Sequence, residues 1–306
     1  MILFYGRMDD SPLRRAVDAA QERSVPYALI EQRHLAHHDL AVAVDGDGVA
    51  GSIVAAGAEM DLATVDAVYL RPLDLPAVGD RVDRLRAEAF HTGLLEWAEI
   101  ADCVVLNRPS AMESNSSKPF QLQCIARFGF RVPETLVTSD PDAARDFRRR
   151  HGRAIFKSVS GIRSIVREFN DDTAARLERI TLLPTLFQQY VPGVDVRVHV
   201  VGTRVFATEI RSAATDYRYA AQDGADVDLA AIELPDDLAD RCVRLADGLG
   251  LPLCGIDLRH RPDGQWFCFE VNPMPAYSYY ESNTGQPIAD AIIDTCLTRT
   301  PATAGQ

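Results

Sequence analysis

Lysine is almost missing from this chain. Among its 306 residues are 32 Lys plus Arg, and all of these except Lys118 and Lys157 are Arg. Either the composition has drifted toward Arg, or lysine is kept at the two places that need a compact ammonium rather than a planar guanidinium fork. Net positive charge is lacking as well: 44 Asp plus Glu leave −12, which argues against a surface built for nucleic-acid phosphates. No apolar run approaches the roughly 20 residues of a membrane helix. The start, MILFYGRMDD, has no basic segment followed by an apolar one, so a cytoplasmic protein without a membrane partner is expected. Six cysteines (Cys103, Cys124, Cys242, Cys254, Cys268, Cys296) are scattered, with no CxxC and no histidine pair at ligand spacing, which points to buried thiols rather than a disulfide framework or a zinc site. GxSxG, GxGxxG and Walker-lysine motifs are all absent. The remaining composition, 47% apolar and 25% charged, suits a globular chain of two or three modest domains.

The segment from Ile2 to Leu106 alternates apolar runs with helical stretches. A strand at Ile2–Tyr5 ends at Gly6. Ser11 is placed to N-cap a helix running to Glu22, with Pro12 in its first turn. Strand-like runs follow at 27–30, 40–44 and 67–70, then an amphipathic stretch over 80–100 and a strand over 103–106. This pattern predicts an open α/β domain over 1–106. The segment NRPSAMESNSS (107–117) reads as a connector, and a helix over 118–128 opens a second portion, 107–185. The third portion, 186–306, is strand-rich and closes with a helix near 288–297, so its class is α+β. Arg148, Arg149, Arg150 and His151 follow Asp140, Asp142 and Asp146 on one helix, and read as cations at its C-terminal end.

The most specific chemistry lies in CGIDLRHRPDGQWFCFEVNP (254–273), two strand-like runs around a turn. With Arg261 opposite Gly264, Asp257 faces Cys268 and lies diagonal to Glu270. Alternation then puts Asp257, Glu270 and Asn272 on one face and Ile256, Leu258, Phe267, Phe269 and Val271 on the other. Diagonal neighbours sit roughly 7 Å apart, a span that one or two hard cations bridge through carboxylate oxygens. A hairpin that merely exposes its acids to water is the alternative.

The order of these motifs resembles the ATP-grasp ligases, in particular the RimK-like branch and the graspetide (microviridin-type) macrocyclases. The resemblance covers about 107–295, with an echo at AVYLRPL (67–73). It implies an ATP-grasp fold, with an N-terminal open α/β domain of the pre-ATP-grasp kind and a small lid at about 130–180. SSKPFQLQCIARFGFRVPETLVT would supply the first ATP-contacting lysine, Lys118, and RAIFKSVSG the second, Lys157. LFQQYVPGVDVRVHV looks like the hinge, where Gln188, Gln189, Tyr190 and Val191 hold adenine and Asp195 holds ribose. The family's magnesium ligands fall on Asp257, Glu270 and Asn272, for two Mg2+ ions, with Mn2+ as a substitute. Arg197 and Arg211 resemble its phosphate-side arginines, although a two-residue turn at Gly202-Thr203 would put them on opposite faces. AATDYRY suggests Asp216 and Arg218 as substrate contacts. Tyr277, Tyr279 and Tyr280 could shape an acceptor pocket. The loop SVSGIRS has one glycine where relatives have several, and the sequence after Asn272-Pro273 departs from the graspetide pattern.

The resemblance implies an ATP-dependent carboxylate–amine ligase working through an acyl phosphate on an amino acid or peptide. The alternatives are a graspetide-type macrocyclase acting on Asp or Glu side chains of a ribosomal peptide, a small-molecule kinase, and a non-catalytic nucleotide-binding protein. A homodimer is left open.

Overall fold

The structure, a computed structural model, describes residues 1–46, 48–55, 57–75, 79–159, 166–212 and 227–298. Strands β1 (Ile2–Gly6), β2 (Tyr27–Glu31), β3 (Asp39–Asp45), β4 (Gly48–Ala55), β5 (Ala58–Asp61), β6 (Ala67–Leu70) and β7 (Val104–Leu106) make up the N-terminal portion with helices α1 (Ser11–Glu22) and α2 (Arg81–Ile100). The sheet β2-β1-β6-β7 is parallel throughout. Its strands are short and continuously apolar, as a sheet covered on both faces requires. Helix α1 covers one face and α2 the other, while β3-β4-β5 forms a separate antiparallel sheet beside α2. Asp10, rather than Ser11, caps α1, accepting from the Leu13 N–H at 3.3 Å. Asp80 and Asp83 cap the start of α2 reciprocally.

The connector after Leu106 is helical rather than irregular. It forms α3 (Pro109–Met112) and a 3-10 turn before α4 (Lys118–Arg127). Beyond it lie β8 (Thr135–Thr138), α5 (Pro141–His151), β9 (Ala154–Ser158), β10 (Arg167–Glu168), α6 (Asp171–Ala174) and β11 (Thr185–Gln189). Their strands form a small antiparallel sheet, β10-β9-β11-β8, backed by α5 around Phe147 and Phe187. The Arg148–Arg150 run does end that helix: Arg148 bonds Asp171, Arg149 pairs with Asp146 and Gly152 closes the last turn.

The third sheet, β14-β13-β12-β15-β16, is antiparallel. It comprises β12 (Val194–Val201), β13 (Arg204–Ser212), β14 (Val227–Ile232), β15 (Leu253–His260) and β16 (Trp266–Asn272), with α7 (Asp236–Gly248), α8 (Tyr277–Thr284) and α9 (Ile288–Leu297). One face packs on α4 and α7. Helix α9 joins the core that α1 shares with β1 and β6, so the first and last portions are welded through common apolar contacts. Two polar side chains strengthen the joint. Buried Asn107 donates to the carbonyls of Leu253 and Pro273, both at 2.6 Å, and accepts from the Leu253 N–H. Arg71, 5% exposed, bonds both oxygens of Asp10 and the carbonyl of Pro275.

Candidate active site

The carboxylate hairpin forms, in a register different from the expected one. The loop holds three residues, with Arg261 N–H donating to the Gln265 carbonyl and Gly264, at φ +81°, donating to Arg261. A positive-φ glycine closing a type I turn is the usual three-residue hairpin. The register then shifts again between Asp257 and Leu258, so Asp257 lies directly opposite Glu270, not diagonal to it. Directly paired residues share a face, and Asp257, Glu270 and Asn272 are still together. The bulge leaves Phe269 as the extra residue. Phe269 therefore lines the cleft beneath the Arg259 guanidinium, 5.2 Å from its ring centre, and Cys268 takes its place in the core. Phe267, opposite Arg259, shares that face but stays buried at 7% exposure, so of the five residues expected in the core only Phe269 leaves it.

Each carboxylate has a cation. Lys118, 8% exposed at the first position of α4, pairs with Glu270 and has Asn115 Oδ1 at 3.4 Å. Arg197, 6% exposed on β12, donates to Asp257 at 2.6 Å. Its guanidinium lies flat over Gly255, where a Cβ would meet Nη2 at 2.0 Å, and its other side faces the Tyr280 ring at 5.9 Å. Asn272 turns its Oδ1 to the Met274 N–H. Two carboxylates and an amide carbonyl on adjacent strands form a hard-oxygen set that suits Mg2+ better than a soft metal. Among the described residues no group of three or more His, Cys, Asp or Glu could hold a metal ion.

A cleft of about 800 Å3, mouth included, separates the small sheet from this face. Ile155 and Lys157 line it from β9, and Gln188, Gln189, Tyr190 and Val191 line it from the end of β11. Gln188 and Gln189 complete the small sheet opposite Ile155 and Ala154, so Tyr190 is the first of the four beyond that strand. Gln188 donates to the Thr135 hydroxyl, the Tyr190 N–H bonds the Arg153 carbonyl, and the Val191 carbonyl accepts from Arg259. Asp195 accepts from Arg259 Nε at 2.7 Å on the cleft floor.

Arg211 is not brought to this site. The Gly202-Thr203 turn is as expected, Arg197 opposes Thr208, and Arg211 points from the other face, paired with Glu209 and 69% exposed. Asp216, Arg218 and most of the SVSGIRS loop lie outside the described residues. Of the three tyrosines, only Tyr280 reaches the site. Tyr277 is buried with its hydroxyl on the Pro12 carbonyl, and burial raises its pKa well above 10; Tyr279 is half exposed.

Several residues with a hold on the site were not anticipated. Gln121, three positions after Lys118 and so on the same helix face, bonds both the N–H and the carbonyl of Val271 on the edge strand β16. Gly255 makes room for Arg197, Arg259 ties Asp195 to Val191, and His199 lies fully buried beside Arg197 against Tyr280, where burial and the neighbouring guanidinium push its pKa well below 6.5. Only the Gln121 spacing was visible beforehand.

With this geometry in place, comparison with known proteins is decisive. Residues 115–296, more than half of the chain, match the RimK-like ATP-grasp domain. The chain belongs to the RimK-like ATP-grasp family. A probable alpha-L-glutamate ligase of Vibrio atlanticus is 26% identical over 234 residues, 72% of this chain and 77% of its own length. Among solved structures, the ATP-grasp ligase PsnB complexed with a minimal precursor superposes with TM-score 0.81 at 28% identity, covering 98% of this chain and 99% of its own. The macrocyclase MdnC of Microcystis aeruginosa, bound to its precursor peptide MdnA, shares the fold at TM-score 0.79 and 19% identity, over 97% and 100% of the two chains. The ATP-grasp ligase described here is thus an ATP-dependent enzyme forming carbon–nitrogen bonds. The expected mixed α/β ATP-grasp architecture is the one observed.

Proposed function

We propose that this ATP-grasp ligase acts on a peptide, activating a side-chain carboxylate with ATP and closing it onto an amine of the same chain. What carries this reading is the extent of the likeness. The family match begins at residue 115, whereas the likeness to PsnB, a ligase solved on its precursor, runs over 98% of the chain and so takes in the N-terminal parallel sheet and the β3–β5 sheet. PsnB has also been solved with Mg, ADP and a phosphomimetic precursor variant, at 28% identity to this chain. The glutamate-ligase relative supports a second reading, addition of a free amino acid to an acceptor.

In the proposed reaction a carboxylate oxygen attacks the γ-phosphorus of ATP and ADP leaves. The amine nitrogen then attacks the acyl carbon, phosphate departs and the nitrogen loses a proton. No protein nucleophile is needed, so positioning and charge neutralisation supply the rate. Adenine lies at Tyr190–Val191 and ribose at Asp195. Lys157 reaches the triphosphate from the lid sheet and Lys118 from the start of α4. Asp257, Glu270 and Asn272 would hold Mg2+, which neutralises triphosphate charge when bound. Lys118 and Arg197, which balance those two carboxylates here, turn toward phosphate when nucleotide is bound. Arg197 then faces the acyl phosphate, its guanidinium steered by Gly255 below and Tyr280 above. Mass spectrometry of Asp/Glu-rich peptides incubated with the protein, ATP and Mg2+ tests the reading. Loss of one water per bond supports it, and addition of free glutamate with no peptide dehydration sinks it.

A further inference from the structure

Strand β12 turns Val196, Val198 and Val200 toward α4 and α7 and presents Asp195, Arg197, His199 and Val201 on its opposite face. Polarity falls off along that row. Asp195 stands on the cleft floor, Arg197 holds Asp257, and Val201 belongs to the apolar core shared with α1 and α9. His199 lies at the boundary with 0% exposure, and neither its Nδ1 nor its Nε2 has a hydrogen-bond partner among the described residues. An apolar residue of that size would be easier to bury there.

The surroundings narrow what the ring can do. Phe206 opposes it on β13 and Gly255 on β15, and the Tyr280 ring meets it edge to face with centres 4.9 Å apart. Because Gly255 has no side chain, the place across from His199 is taken by the Arg197 guanidinium, whose Cζ lies 2.4 Å from where a Cβ on Gly255 would be. Directly opposed Cβ atoms in a sheet are roughly 5 Å apart, so ring and guanidinium are neighbours. Burial, and then the charge of Arg197, push the ring's pKa well below 6.5, so it is neutral and keeps one nitrogen lone pair. Thr208, which opposes Arg197 on β13, donates its hydroxyl to Gln286 Oε1 at 3.0 Å. Asp257 accepts from the guanidinium here, and loses that role where its oxygens are given over to Mg2+.

We propose that His199 is a positioning residue for Arg197: a ring nitrogen accepts a guanidinium N–H once Asp257 is engaged with Mg2+, and so holds the guanidinium over Gly255 and toward the acyl phosphate. The inference rests on the placement of Arg197 proposed above, and holds for a peptide or a free amino acid alike. His199 itself touches neither nucleotide nor substrate.

Two measurements on the full chain test it. In ADP release with an Asp/Glu-rich peptide, or with glutamate where the wild type uses that, His199→Phe lowers kcat by about tenfold or more and leaves the KM for ATP within about twofold. His199→Asn or His199→Gln, whose amides set an acceptor near Nδ1 or Nε2, restores most of the rate, and His199→Phe adds no loss in an Arg197→Ala background. His199→Phe is at least as resistant to urea as wild type, because a buried polar group without partners has gone. The second measurement needs no turnover: NMR of isotope-labelled histidine, with the His199 signals assigned by their loss in His199→Phe. Saturation with ADP and Mg2+ moves one His199 ring nitrogen to the position of a hydrogen-bond acceptor in wild type and leaves it in place in Arg197→Ala. Wild-type kcat in His199→Phe, equal losses in all three His199 variants, or an unmoved ring nitrogen in wild type overturns the proposal. A slow Arg197→Ala beside an unimpaired His199→Phe sinks this inference alone; an Arg197→Ala as fast as wild type sinks the placement of Arg197 and the inference with it.

Discussion

Replacing Gly255 with alanine should disable the enzyme without unfolding it. Gly255 sits in β15 opposite Asn272 and His199, and its backbone is ordinary strand that alanine can adopt. The added Cβ would lie 2.0 Å from Arg197 Nη2 and 2.4 Å from Cζ, so the guanidinium must retreat by about 1.4 Å to reach ordinary contact at 3.4 Å. Retreat away from Gly255 costs the 2.6 Å bond to Asp257. A charge-assisted hydrogen bond contributes about 1.5–3 kcal/mol. Stiffening the unfolded chain returns about 0.4–1 kcal/mol, so the net loss of stability is only about 0.5–2.6 kcal/mol. Catalysis is far more sensitive, since a displacement of about 1 Å in a positioned group costs on the order of a hundredfold. ADP release in the presence of peptide should therefore show kcat down by about a hundredfold with the KM for ATP little changed, because adenine and ribose bind elsewhere. The double variant Gly255→Ala/Arg197→Ala should be no slower than Arg197→Ala alone, since both act through one guanidinium. A Gly255→Ala enzyme within about twofold of wild-type kcat would refute the placement of Arg197.

Other consequences are equally direct. Lys157→Arg should raise the KM for ATP by about tenfold, because a planar fork does not substitute for a point charge on phosphate; wild-type affinity would mean that the two lysines are compositional drift. Gln121→Leu leaves a buried N–H and carbonyl of Val271 without partners, and should cost about 2–4 kcal/mol in a denaturant titration. His199 is held neutral in the fold, its pKa depressed by burial and by Arg197, so the unfolded chain binds the extra proton first. Stability is fully present above about pH 6.5 and falls by up to about 1.4 kcal/mol per pH unit below it. His38 and His91 shift the same way through burial, and His199→Phe should remove only its share of that slope in pH-dependent melts.

Alternation along the strands was enough to unite Asp257, Glu270 and Asn272, because period-two patterning survives any register that keeps the two faces. The register itself was not legible. Phe269 is inserted by a bulge that has no sequence marker, since phenylalanine fits a core strand and a cleft wall equally well, and only the packing of Cys268 against Leu258 decides between them. The opposite facing of Arg197 and Arg211 did follow from the Gly202-Thr203 turn, and Arg211 stays outside the site as that turn dictates. Asp10 displaced Ser11 as the helix cap because two acceptors adjoin there and the backbone chose between them. Gly255 could not be singled out, because its role depends on a guanidinium arriving from a neighbouring strand.

The chemistry itself is tested most directly by trapping the acyl phosphate. Incubated with ATP, Mg2+, hydroxylamine and an Asp/Glu-rich peptide, the wild-type protein should yield a side-chain hydroxamate and ADP together, and Glu270→Gln should yield neither. A phosphorylated hydroxyl with no hydroxamate, or undiminished ADP release from Glu270→Gln, would contradict carboxylate activation at this site.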